Sequence, residues 1–414
     1  MSLEVMYERC AGIDVHQRFV VVCLTLMEGG KRRQEIRTFR NETADLLALR
    51  AWLLQERCTH VGMESTGVYW MPVYRRLEGF FELVVANAQH IKAVPGRKTD
   101  VQDAEWIASL LQHGLFNPSF VPSQEQQDLR DLTRLRVSLV RERTRLVNRV
   151  HKVLEEAGIK LATVLSDIMG LSGRAILQAL CEGERDPQQL AKRVHPSVHA
   201  SQQEIRAALT GEIREHHRFL LRELLSLIAV QDRSIAHLEE QIERHLHPFE
   251  EQITRCEKIN GVSRHVLYVL MAEVGTDLER FPDAEHLSSW AGVCPGQKES
   301  AGKRLSGKCK KGNRYVREVL VQAAHGVRRS RTYLGERYRR LKKRRGSKRA
   351  ALAIGHDILV IYCQMMKTGQ EYQEKGEAFF QQRDRSKVEH QLVQRLERMG
   401  YQLTRQPPPA ASGE

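Results

Sequence analysis

A chain of 414 residues is longer than one core organises comfortably, at roughly 100–200 residues per domain, so two or three units are expected. Hydrophobic residues make up 41% and charged residues 28%, the balance of a globular protein, and no apolar run nears the roughly 18 residues that a membrane helix needs, which excludes a membrane-spanning protein. The net charge of +14 is concentrated in one place: residues 296–350 hold 20 Lys or Arg against three Glu, a surplus of 17 that leaves the remaining residues net negative by 3.

A basic segment of that density suits a phosphate-rich partner, because each neutralised phosphate releases condensed counterions. A solvated charged face is the competing reading. The eight cysteines, at positions 10, 23, 58, 181, 256, 294, 309 and 363, form no CxxC pair and no zinc spacing, so they read as reduced, mostly buried thiols. The first ten residues lack a basic stretch followed by an apolar core, which places the protein in the cytoplasm as an expectation.

In chain order, residues 11–26 are rich in β-branched side chains and broken only by polar His16 to Arg18, predicting two strands of a hairpin. A third strand is expected at 35–40 and a helix from Asn41 or Thr43, where Leu46, Leu47, Leu49, Leu53 and Leu54 follow helical spacing. Then strand and helix alternate: 60–64 strand, 68–77 helix, 80–86 strand, 98–112 helix. Three antiparallel strands followed by βαβ units describe an α/β RNase H-like fold.

Four carboxylates fall at informative places in that layout: Asp14 on the first strand, Glu64 at the end of the fourth, Asp100 and Asp103 on the last helix. An i, i+3 pair shares one helix face. Hard oxygen donors suit Mg2+, and phosphodiester chemistry benefits from such ions clamping the attacking and leaving oxygens. Each carboxylate alone also has a bland role, as a helix cap or a partner of the helix dipole.

Two long helices are expected next. Residues 123–157 carry Leu129, Leu132, Leu135, Leu139, Leu146 and Val150 at spacings of three, four or seven, with Gly158 as the stop. Residues 201–246 repeat the pattern through Leu221, Leu225, Ile228, Ile235, Leu238, Ile242 and Leu246, a coiled-coil rhythm. Pro187, Pro196 and the glycines between Gly158 and Gly183 predict a looser connector between the two helices. Residues 259–263, Ile-Asn-Gly-Val-Ser, partly match the turn of a helix-hairpin-helix module, and an ordinary helical turn explains them equally well. Residues 290–317 form a Gly- and Lys-rich block, and residues 328–349 a very basic stretch with Tyr333 and Tyr338 interleaved, suited to phosphates and to stacking on unpaired bases. An apolar helix over 350–366 packs that stretch down, and residues 407–414 read as a disordered tail.

The strings Gly12-Ile13-Asp14-Val15-His16, Met63-Glu64-Ser65-Thr66-Gly67-Val68-Tyr69-Trp70 and Lys98-Thr99-Asp100-Val101-Gln102-Asp103-Ala104 resemble the signature of DEDD transposases of bacterial insertion sequences, relatives of bridge-RNA-guided recombinases. The block from Trp290 to Arg317 resembles the second block of the same family.

The resemblance implies a RuvC-like catalytic domain over 1–122, a helical coiled-coil and oligomerisation region over 123–250, a mainly α, serine-bearing domain over 251–385, and a C-terminal helix and tail over 386–414. It implies that Asp14, Glu64, Asp100 and Asp103 hold Mg2+, or Mn2+ in its place, and that Ser300 is the nucleophile, with Ser306 as rival. Ala301 stands where many relatives have glycine. Lys303, Arg304, Lys308, Lys310, Lys311, Arg314 and Arg317 are then the nearby cations for nucleic acid. DNA donor and target, an element-encoded guide RNA, and a dimer or tetramer of the chain are the implied partners, with no membrane. A RuvC-like nuclease or junction resolvase using water, and a non-catalytic nucleic-acid scaffold, are the competing functions.

Overall fold

In the computed structural model of the chain, residues 4–65, 67–86, 100–115, 119–295, 298–300, 303–306, 309 and 311–401 are described. The chain divides into two compact units, Met1–Pro122 and Ser123–Glu414. Among the described residues no helix is long and apolar enough to cross a membrane, and all eight cysteines are free thiols, five of them buried.

The first unit is built on a five-stranded sheet of order β3-β2-β1-β4-β5. Strands β1 (Arg9–Val15), β2 (Phe19–Glu28) and β3 (Lys31–Arg40) form an antiparallel meander, and β4 (His60–Glu64) and β5 (Glu82–Ala86) add to β1 in parallel. β3 begins four residues before the sequence predicts it, because Lys31 to Gln34 show no apolar alternation. As an edge strand exposed along nearly its whole length, it needs none, and its charges discourage pairing with another chain.

Helices cover both faces of this sheet. α1 (Thr43–Gln55) and α2 (Trp70–Leu77) pack Leu46, Leu49, Trp52, Leu53, Val73 and Leu77 against Ile13, Val15, Val61 and Met63. On the opposite face α3 (Asp100–Gln112) sets Ala104 and Ala108 against Val21 and Cys23, and Ile107, Leu110 and Leu111 against Cys10 and Ala86. Residues two apart on a strand share a face, so Cys10, Gly12 and Asp14 lie on the α3 side while Ile13 and Val15 lie on the other.

The second unit is helical apart from one short hairpin. α4 (Gln124–Glu156) starts where the Ser123 hydroxyl accepts a hydrogen bond from the Gln126 amide at 3.3 Å, and ends before Gly158 at φ +76°. Its partner, α9 (Glu215–Leu246), runs antiparallel beside it. Leu129 shares one core with Ile242 and Leu246, whereas Val150 and Leu154 share another with Leu221 and Ile228. Between those ends Arg136 pairs with Glu239, and Arg143 with Asp232. Each step of seven residues up one helix is a step of seven down the other.

Two expectations are corrected in this region. The helical stretch expected from residue 201 is broken into α8 (Gln202–Leu209) and α9. A side chain on Gly211 would lie 2.4 Å from the Ala157 carbonyl, so the chain turns tightly there. The connector is also not loose: α5 (Leu161–Val164), α6 (Leu171–Glu182), α7 (Pro187–Ala191) and α8 bury Leu161, Leu165, Ile168, Ile176, Leu180, Leu190, Ile205 and Leu209 in a cap on the ends of α4 and α9.

Below the opposite end of the pair lies the larger core. It gathers α10 (Glu250–Cys256), α11 (Arg264–Val274), α12 (Ala284–Ala291), α13 (Arg314–Val327), α14 (Tyr333–Arg345) and α15 (Ser347–Thr368). Strands β6 (Lys298–Ser300) and β7 (Lys303–Ser306) form the hairpin between α12 and α13, and α16 (Phe379–Arg398) follows the core. The expected tail at 407–414 lies outside the described residues.

Candidate active site

The strand register sets Asp14 beside Glu64. β1 and β4 pair in parallel with Gly12 opposite Gly62 and Ile13 opposite Met63, so the next residue of each strand, Asp14 and Glu64, stands at the same carboxyl end. Both follow the glycines onto the face that α3 covers. Cys10 packs near Ile107 and Leu111, and Gly12 lies under Ala104 and Ala108, so α3 runs opposite to β1 and its first turn lies toward the Asp14 end. Asp103 precedes Ile107 by one turn and is half-buried, and residue 100 opens the helix.

Asp14 is held in place. Its side chain is 15% exposed, and its Oδ2 lies 2.9 Å from His16 Nε2. His16 in turn packs against Phe19, with ring centroids 4.6 Å apart. Gly12 allows the close approach of α3: a Cβ there would lie 2.2 Å from the Ala108 nitrogen and 2.4 Å from the Ala104 carbonyl oxygen, both backbone atoms.

Four carboxylates present only hard oxygen donors, the set that Mg2+ takes. Among the described residues no three His, Cys, Asp or Glu side chains group closely enough to hold a metal ion. The side chain of Asp100 is not among the described residues.

In the second unit Ser300 ends β6 and pairs with Lys303 across the hairpin, whereas Ser306 pairs with Lys298 at the opposite end. Ser300 is thus at the tip and Ser306 at the base. Lys303 and Arg304 lie on β7; Lys308 and Lys310 lie outside the described residues. Lys311 precedes α13, and Arg314 and Arg317 are in its first turns. Arg314 already pairs with Glu318 at 2.9 Å, which holds its guanidinium above the usual range.

The two arms of the hairpin meet at its base. Gly312 presses on Gly292, where a Cβ would come within 2.3 Å of the Gly292 nitrogen, and the Asn313 amide donates to the Trp290 carbonyl at 3.3 Å. Asn313 also caps α13, its Oδ1 accepting from the Val316 amide at 3.1 Å.

The basic stretch resolves into two kinds of residue. Arg337 pairs with Asp357, and Arg339 with Glu336 and Glu377, so these cations are committed within the fold. Lys342, Lys343, Arg344, Arg345, Lys348 and Arg349 are all exposed. The expected stacking role of Tyr338 is overturned: it is 3% exposed and belongs to the core. Tyr333 stacks on Phe380 with centroids 5.0 Å apart, inside the protein's own aromatic cluster. The glycine of the 259–263 turn is likewise explained by packing. Gly261, at φ +82°, would bring a Cβ within 2.4 Å of Val327 on α13.

One buried charge carries no mark in the sequence pattern. Glu273, near the end of α11 and 0% exposed, accepts two hydrogen bonds from Arg134, at 2.7 and 2.8 Å, and a third from Asn313 Nδ2 at 2.8 Å. Arg134 also lies over the Tyr315 ring, 4.9 Å from its centroid.

Comparison with known proteins agrees with these two regions. The DEDD transposase domain of IS110-type elements matches residues 11–159, and the domain described as transposase, IS116/IS110/IS902 family, matches residues 254–339. A probable family 20 transposase of Pseudomonas aeruginosa is 29% identical over 320 residues, covering 76% of this chain and 79% of that protein. The transposase for insertion sequence element IS1111A of Coxiella burnetii is 27% identical over 279 residues, covering 65% of this chain and 67% of that protein. The chain thus carries two transposase domains of IS110-type insertion sequences, and the relatives it resembles over most of its length are transposases.

Proposed function

We propose that this chain is an insertion-sequence transposase acting as a site-specific DNA recombinase, in which Ser300 is the nucleophile and an RNase H-like unit supplies a divalent-metal site. The observation that carries the reading is the parallel register of β1 and β4, which brings Asp14 and Glu64, each the next residue after the last aligned pair, to the same end of adjacent strands on the sheet face that α3 covers. The mixed sheet of three antiparallel strands extended by two parallel ones supports the RNase H-like assignment.

Asp14, Glu64, Asp100 and Asp103 would hold Mg2+ or Mn2+. A divalent cation supplies charge neutralisation at a scissile phosphate and makes a nearby hydroxyl more acidic. The serine Oγ forms a bond to phosphorus, the bond from phosphorus to the leaving DNA oxygen breaks, and the serine proton ends on that oxygen. Reverse attack by a DNA hydroxyl on the phosphoserine releases the serine and reseals a strand. Lys303, Arg304, Lys308, Lys310, Lys311, Arg314 and Arg317 follow Ser300 closely in sequence and stabilise the charge that develops. Ser300 is favoured over Ser306 because the hairpin register puts it at the tip.

A guide RNA encoded by the element would choose donor and target by base pairing, leaving the protein to read backbone and shape, with two or four copies of the chain in the working complex. The exposed cations of 342–349 suit either nucleic acid.

The test is incubation of the full chain with Mg2+, DNA and element RNA, followed by denaturing electrophoresis. A protein–DNA adduct is expected, lost in Ser300→Ala, in Asp14→Asn and with chelator. Metal-dependent cleavage without an adduct, undiminished in Ser300→Ala, would establish the water-using nuclease instead.

A further inference from the structure

Glu273 is an unusual residue for its place. The rest of α11 from Val266 to Val274 is buried and otherwise carries only Tyr268 as a polar group. A carboxylate taken fully out of water rarely gains stability over an apolar residue of the same shape, even when it is paired, and such groups are kept where they specify one arrangement. The arrangement specified here joins three segments far apart in sequence. Arg134 on α4 holds both carboxylate oxygens in a two-pronged pair, and Asn313 donates to Oε2. Arg130, one turn earlier on α4, donates to the Ala272 carbonyl at 2.9 Å and to that of Glu273, closing the end of α11. Gln126 reaches the same Ala272 carbonyl at 3.0 Å.

Asn313 occupies a junction. Its backbone is tied to Trp290 at the base of the hairpin, its Oδ1 caps α13, and its Nδ2 is spent on Glu273. Arg134 completes the fastening from the other side by lying over Tyr315. A rotation of the first turn of α13 would break the hydrogen bond to Asn313 and unseat Tyr315 together, and would carry the attached hairpin with it. The fastening acts at the start of α13 and at the base of the hairpin.

We propose that Glu273 is a positioning residue for strand transfer: through Asn313 and Arg134 it locks the first turn of α13, and with it the hairpin bearing Ser300, onto the long helix α4. This rests on the reading of Ser300 as the nucleophile.

Two substitutions and their combination test it in the full chain. Asn313→Asp keeps a good helix cap but sets one carboxylate against another. Glu273→Gln keeps the side chain's shape and loses its charge. In the double variant the glutamine amide can donate to the new aspartate, restoring the hydrogen bond with its polarity reversed. At saturating DNA, adduct formation should slow by about tenfold or more in each single variant, while the DNA concentration for half-saturation stays within about threefold, as expected when a reacting group is displaced but binding is kept. The double variant should recover most of the rate.

Amide hydrogen exchange across residues 312–317 is the readout that does not depend on the serine chemistry. It should quicken in both single variants and slow again in the double. Folded single variants with wild-type rate and exchange overturn the proposal, as does a double variant no better than either single. If Ser300→Ala still forms the adduct, the nucleophile is misassigned, and the lock then stands or falls on the exchange pattern and the strand-cleavage rate.

Discussion

Substituting Gly12 by alanine tests how the first unit assembles its carboxylates. The added Cβ would lie 2.2 Å from the Ala108 nitrogen and 2.4 Å from the Ala104 oxygen. Ordinary carbon contacts are about 3.5 Å or more, so α3 must retreat from the sheet by about 1 Å. Neither clashing atom belongs to a side chain, so no rotamer change relieves the strain. Overpacking of a core costs roughly 1–3 kcal/mol, occasionally more, and with two backbone atoms in the way the upper end, about 3 kcal/mol, is expected. Displacing the start of α3 by about 1 Å should lower metal-dependent DNA cleavage by about 100-fold even where the protein stays folded. Thermal unfolding followed by circular dichroism gives the stability loss, and cleavage measured well below the melting temperature gives the rate. A Gly12→Ala protein within about 0.5 kcal/mol of wild type and fully active would refute the close approach, since a surface substitution behaves that way. Ala108→Gly in the same background should not rescue it, because the clash is with backbone.

Acid stability is expected to depend on His265. The Arg136 guanidinium lies 2.9 and 3.1 Å from its two ring nitrogens, and burial together with that charge pushes its pKa down from 6.5 to about 4. A folded-state value below the unfolded one means that the unfolded chain takes up the proton first, so this contribution is complete above pH 6.5 and is lost as the pH falls toward 4. At about 1.4 kcal/mol per pKa unit the effect reaches about 3 kcal/mol at most. Denaturant unfolding of His265→Gln across that range should show a shallower pH dependence than wild type; parallel curves would contradict the assignment. Replacing Lys342, Lys343, Arg344 and Arg345 by glutamine should weaken binding to unrelated duplex sequences alike. It should also reduce the slope of log affinity against log salt by about 0.9 for each phosphate that is no longer neutralised. Fluorescence anisotropy at several salt concentrations measures both, and an unchanged slope would remove this run from the interface.

Much of the first unit is legible in residue order because its signals are local. Val20 to Val22 are β-branched and the run to Leu24 is apolar along a buried strand, the leucines of α1 repeat at helical spacing, and the carboxylates sit at element ends where a strand or helix pattern stops. The start of β3 is hidden because an edge strand carries charge instead of periodicity. The cap over α4 and α9 resembles a connector in sequence because α5 and α7 have only four and five residues, too few for a repeat to show. The β6–β7 hairpin leaves no pattern for the same reason, its strands holding three and four residues among glycines and lysines. Tyr338 looks available for stacking because arginines surround it in sequence, yet the helix turns it inward. Glu273 is invisible to any spacing rule, since its partners are 139 and 40 residues away.

The facing helices α4 and α9 also act as a ruler. At about 1.5 Å per residue, the 33 residues of α4 measure about 50 Å, close to one and a half turns of duplex DNA at roughly 34 Å per turn. Its graduations are marked by two ion pairs set seven residues apart, in opposite directions along the two helices. Removing seven residues from each helix would bring the cap about 10 Å closer to the opposite core with every facing pair preserved. Removing three from each would turn the wrong faces inward. The separation between the cap and the core can therefore shorten by about 10 Å with the facing pairs kept when seven residues leave each helix.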